Sequence, residues 1–90
     1  MATVDSMHPY PSAEKYWDLV KRTLGEVFQK STKPAEHLRW MMSNRSPEEQ
    51  LLFYHAEPLD VAADLAGRQP SDAEIKAYRH LADQVGWGLP

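Results

Sequence analysis

The chain contains no cysteine among its 90 residues, which removes disulfides, thiolate nucleophiles and cysteine-based zinc or iron–sulfur sites at once. Glycine is scarce too: Gly25, Gly67, Gly86 and Gly88 are too dispersed for a G-x-G-x-x-G turn or a Walker loop. No apolar run approaches the ~18 residues of a membrane span. The amino-terminal MATVDSMHPYPSAEK also lacks a cationic start followed by an apolar stretch. These absences predict a soluble, cytoplasmic protein. Neither sign of charge dominates: 10 Lys and Arg stand against 13 Asp and Glu, for a formal charge of −3. Such a balance exerts no long-range pull on phosphate backbones or anionic lipid.

An apolar fraction of 42% beside 26% charged residues is that of a folded globule, not a disordered chain. A domain this small buries only about 60–65% of the surface its unfolded chain exposes, so its core is modest and a partner would help it.

The segment Ser46 to Gly67 carries the strongest local signals. Ser46 and Glu49 form a capping-box pair around Pro47 at the first helical position, which predicts a helix start. Leu51, Leu52, Phe53 and Tyr54 are consecutive, so at about 100° per residue they point around the whole helix. A helix apolar on every side is expected at the centre of the fold, or with one side awaiting a partner. Pro58 ends or restarts this helix near Ala56. Leu59, Ala62, Ala63 and Ala66 then give a small-residue face for close packing, and Gly67 supplies a left-handed stop.

Upstream, residues 1–11 with Pro9 and Pro11 read as a flexible arm. His8-Pro9-Tyr10-Pro11 has the flavour of a proline-reading motif without PxxP spacing. Ser12 can cap a long helix over 12–30, in which Tyr16, Leu19, Val20, Thr23, Leu24, Val27 and Phe28 share a face. Trp17 falls at the margin of that face. Gly25 inside it permits close approach of another backbone. A second helix, 34–43, has Ala35, Leu38, Met41 and Met42 inward and Trp40 pointing away. The last helix, 72–85, opens on the capping box of Ser71 and Glu74. Its face is Ile75, Tyr78, Leu81, Ala82 and Val85, and Gly86 ends it with Trp87 folded back on the last turn.

Patterns that could carry chemistry are sparse. His55-Ala56-Glu57 has the H-x-E of zinc deaminases, but the P-C-x-x-C half is missing. His8, His37, His55 and His80 form no H-x3-H pair, and His55 reads as a partly buried histidine bonded to a carbonyl or carboxylate. Asp60 and Asp64 lie one turn apart with Arg68 a turn further on to offset them, the ordinary make-up of a solvated face. No G-x-S-x-G or related signature supports a nucleophile.

The expectation is therefore an all-α fold: a compact bundle of four to five short helices around Leu51 to Tyr54, residues 12–90, behind the amino-terminal arm. The large aromatic and apolar groups Trp17, Trp40, Phe53, Tyr54 and Trp87 exceed what such a core readily encloses, and mark the expected partner-binding residues. The function expected is a non-catalytic intracellular protein–protein interaction module, self-association included, with no cofactor, no metal and no membrane contact. One alternative is a small helix-turn-helix-like DNA-binding regulator over Leu59 to Val85. Three cations against five acids between Pro58 and Pro90 oppose it. A second alternative is an accessory subunit of a larger enzyme.

Overall fold

A computed structural model describes residues 13–87. The expected arm, the Ser12 cap, the His8-Pro9-Tyr10-Pro11 motif and the tail Gly88-Leu89-Pro90 lie outside the described residues. Five α-helices and no strand occur among the described residues: α1 Ala13–Arg22, α2 Lys33–Ser43, α3 Pro47–Phe53, α4 Pro58–Ala66 and α5 Asp72–Val85. The protein is all-α.

The long first helix changes character part-way. After Arg22 the hydrogen bonds widen into a π-helical turn, Thr23–Val27, closed by the Phe28 N–H on the Thr23 carbonyl at 3.1 Å. Gln29 then adopts φ +56, a left-handed conformation that ends the helix short of residue 30. The extra residue in the π turn keeps both Leu24 and Phe28 inside. Gly25 sits in this turn, but what a side chain there would meet is a methyl group of Thr32 at 3.4 Å, not another helix backbone.

Both capping boxes form. Ser46 Oγ accepts from the Glu49 N–H, Ser71 Oγ from the Glu74 N–H, and each glutamate reaches back to its cap residue. Gly67 and Gly86 end α4 and α5 in the left-handed region at φ +78 and +75. Behind Gly86, the Trp87 N–H donates to the Ala82 carbonyl at 2.8 Å, which folds the indole back over the last turn.

The centre of the fold is α1, not the Leu51–Tyr54 segment expected there. Tyr16, Trp17, Leu19, Val20 and Leu24 are all at most 1% exposed. Helix α1 is long enough to present a stripe to each neighbour, and α2, α4 and α5 all pack against it. One side of α1 joins Ala35 of α2 and Val61, Ala62 and Ala63 of α4, with Leu38, Met42, Phe53 and Tyr54 around the edge. The other side carries Leu19 to Tyr78, Leu81 and Ala82 of α5. The alanines of α4 let that helix lie close to α1, as their size suggests.

Helix α3 is only seven residues long and none of its residues is fully buried. Phe53 and Tyr54 turn inward, whereas Leu51 and Leu52 are 48% and 73% exposed. A two-turn helix cut short before Pro58 is too small to be wrapped by neighbours, so it lies on the core by one side. Met41 departs from expectation for a related reason: Ala35, Leu38 and Met42 already fill the inner face of α2, and Met41 is 37% exposed.

Candidate interaction surface

Aromatic side chains from three parts of the chain meet beside α1. Tyr16 has its ring edge-on to Trp17, Phe53, Tyr54 and Trp87, with centroids 4.9–5.8 Å apart, and Trp17 stacks on Phe53 at 5.5 Å. Each such pair contributes about 0.5–1.5 kcal/mol beyond area burial. Two polar ends inside this cluster are satisfied. The Trp17 indole N–H donates to the Tyr54 hydroxyl at 3.0 Å, and the Tyr16 hydroxyl donates to the Ala56 carbonyl at 2.9 Å. Burial is the main cause that pushes the Tyr16 hydroxyl well above the usual phenol range, helped by Tyr54, Glu57 and Asp60.

Four of the five expected partner-binding residues thus lie in or against this cluster. Trp17 is 1% exposed and reaches no surface. Phe53, Tyr54 and Trp87 are half-buried and turn their rings toward Tyr16. Their role in the protomer is to hold α3 and the end of α5 to α1. Trp40 stands apart from them, 66% exposed.

Trp40 is not loose. Its ring stacks with that of His37, centroids 6.2 Å apart and planes 19° from parallel. The Trp40 carbonyl accepts from Ser43 Oγ at 2.6 Å and from Asn44 Nδ2 at 2.9 Å, which closes the end of α2. Lys33, His37 and Trp40 are spaced i, i+4, i+7 and so share one outward stripe. On α3 the corresponding outward stripe is Glu48, Leu51 and Leu52, spaced i, i+3, i+4.

Among the described residues the exposed large hydrophobics are Trp40, Met41, Leu51 and Leu52. All four sit on α2 and α3, successive helices joined by the turn Asn44–Ser46. Leu51, Leu52 and Met41 were not legible as surface from their residue types. The signal that could have found the leucines is their i+3 and i+4 spacing from Glu48, together with the short reach of a helix confined between Pro47 and Pro58.

Several polar groups elsewhere are engaged structurally. The Tyr78 hydroxyl donates to Glu57 Oε2 at 2.7 Å, tying α5 to the start of α4. Burial first, then this hydrogen bond, lifts the Tyr78 hydroxyl far above the phenol range. Arg68 does not offset Asp60 and Asp64. Its guanidinium grips both oxygens of Glu74 and lies over the Phe28 ring, 4.8 Å from the centroid. Arg68 and the Ser71 backbone N–H hold the Glu74 carboxyl down at about 2, against an ordinary 4.5. His55 is exposed, not half-buried, with Nδ1 2.9 Å from the Leu51 carbonyl. An open groove of about 470 Å³ runs beside Tyr78, lined by Leu59, Ile75, Ala82 and Trp87 together with the charged Glu57, Arg79 and Asp83. No group of three or more metal-ligating side chains occurs among the described residues, and no helix there is long and apolar enough to cross a membrane.

No protein-family model matches the chain, and neither a curated protein nor a solved structure matches it.

Proposed function

We propose that the protein is a non-catalytic, intracellular protein–protein interaction module that binds through the outward faces of α2 and α3. The observation that carries this reading is the segregation of the exposed large hydrophobics: Trp40, Met41, Leu51 and Leu52 all fall on these two helices. Apolar side chains scattered singly over a surface need no explanation, whereas a local concentration marks an interaction face. Tryptophan is among the residues that contribute most to binding when buried at an interface. Trp40, its ring stacked on that of His37, loses less side-chain freedom on docking than a free indole would.

The test is the size of the native assembly. A tagged chain chemically cross-linked in its own cells before release is expected to elute in a discrete complex larger than one protomer. The double variant Trp40→Ser, Leu52→Ser is expected to elute at the protomer mass with unchanged helix content. Elution of both at the protomer mass would remove the reading.

A further inference from the structure

The charges around the exposed face indicate what covers it. Between Lys33 and Phe53 there are three cations, Lys33, Arg39 and Arg45, and three acids, Glu36, Glu48 and Glu49, so the whole net charge of −3 lies on the rest of the chain. Glu36 is 3.8 Å from Lys21 of α1, and Arg45 is 3.8 Å from Glu49. Lys33, Arg39 and Glu48 have no ion pair among the described residues. Their placement is asymmetric. Lys33 shares the outward stripe of α2 with Trp40, and Glu48 shares the outward stripe of α3 with Leu51 and Leu52. Glu36 lies on the same stripe of α2 but is engaged by Lys21 of α1, so the charge left unpaired beside the apolar groups is basic on α2 and acidic on α3. Each is the complement of the other, and within one protomer their charges are not paired.

We propose that the partner is a second copy of this chain, docked isologously with α2 of each copy against α3 of the other. Trp40 of each protomer packs on Leu51 and Leu52 of its mate, and Lys33 of each lies toward Glu48 of its mate. A two-fold arrangement uses the same patch twice, which a self-complementary surface allows. Pairing α2 with α2, or α3 with α3, would leave Lys33 and Glu48 without an opposite charge across the contact. This inference rests on the reading of α2 and α3 as the interaction face. The four exposed side chains offer on the order of 400 Å². That is below the ~800 Å² per partner of a standard stable interface, so the dimer is a weak one that forms as concentration rises.

Sedimentation equilibrium of the full chain at low salt, from about 10 µM to about 1 mM, spans the affinities such an interface supports. The weight-average mass is expected to climb from 10.3 kDa toward twice that value. Trp40→Ser should weaken association by roughly 30-fold. Lys33→Glu or Glu48→Lys alone should weaken it by about 2- to 5-fold, and the two together in one chain should restore it. All three positions are exposed, and circular dichroism of each variant confirms its fold. A constant protomer mass across the series, or a double charge reversal no better than the single ones, overturns the dimer. A benzophenone side chain in place of Met41, exposed beside Trp40 and irradiated in cells, separates this failure from that of the interaction face. Cross-linking to its own chain supports the second copy. Cross-linking only to a different protein overturns the dimer and leaves the interaction face standing, and no protein adduct overturns both.

Discussion

The indole N–H of Trp17 on α1 and the hydroxyl of Tyr54 just beyond α3 are joined by a 3.0 Å hydrogen bond inside the aromatic cluster. With the Phe53 and Tyr54 ring contacts and the Tyr16–Ala56 hydrogen bond, this contact fixes the short α3 on α1 and so sets where Leu51 and Leu52 emerge. Tyr54→Phe removes the acceptor and leaves the buried indole N–H without a partner, at a cost of about 1–3 kcal/mol. Trp17→Ala also opens a cavity and should cost about 3–5 kcal/mol. Urea denaturation measures both, and Tyr54→Phe should additionally speed amide exchange in α3 more than in α5.

Trp40→Ser, by contrast, should leave protomer stability within about 0.5 kcal/mol, because the side chain is exposed and supports no buried contact. Acrylamide quenching of the intact chain against Trp40→Ser gives the matching optical result. Emission from Trp40 should be readily quenched and that from Trp17 should be protected.

Much of the scaffold could be read from residue order because it depends on local rules. Ser46 with Glu49, Ser71 with Glu74, Pro47, Pro58, Gly67 and Gly86 act within a turn of their own positions, and each does what its chemistry dictates. Which apolar residues are enclosed depends on lengths and neighbours that no local pattern contains. Leu51, Leu52, Phe53 and Tyr54 look equivalent in sequence. The shortness of α3, the hydrogen bond from Trp17 and the ring of Tyr16 together decide that Tyr54 turns in and Leu52 turns out. Trp17, at the margin of its helical stripe, is enclosed because Phe53 and Tyr54 arrive from a segment about 37 residues away. The π turn at Thr23–Val27 was equally hidden, since none of its residues individually demands it.

Thr23 in that turn is fully buried, and its Oγ1 has no hydrogen-bond partner. Thr23→Val keeps the shape and removes the unsatisfied hydroxyl, so it should be neutral or stabilising by about 1 kcal/mol. Thermal unfolding checks this, with a lowered melting temperature as the contrary result. The left-handed Gln29 gives a companion site, where Gln29→Gly should gain about 1 kcal/mol by relieving the steric cost of φ +56.

The acid limb of stability should report Glu74. Its carboxyl is held at about 2 in the folded chain and ionises at an ordinary 4.5 when unfolded. The Arg68–Glu74 contact therefore contributes fully above pH 4.5 and is lost as pH falls toward 2. In Glu74→Gln that part of the pH dependence should vanish, as measured by urea midpoints across the acid range. At the alkaline end the sign reverses. Tyr16 and Tyr78 resist ionisation when folded but ionise near 10.0 when unfolded. Stability should fall above that pH, and less steeply in Tyr78→Phe.

The most direct measurement is hydroxyl-radical footprinting of the chain, purified at high dilution and again within its native assembly. Trp40, Met41, Leu51 and Leu52 are expected to oxidise readily when dilute and to be protected in the assembly, while His80 and Lys76 on α5 oxidise equally in both. Equal oxidation of the four apolar residues in the two states, or protection confined to α5, would contradict a docking face on α2 and α3.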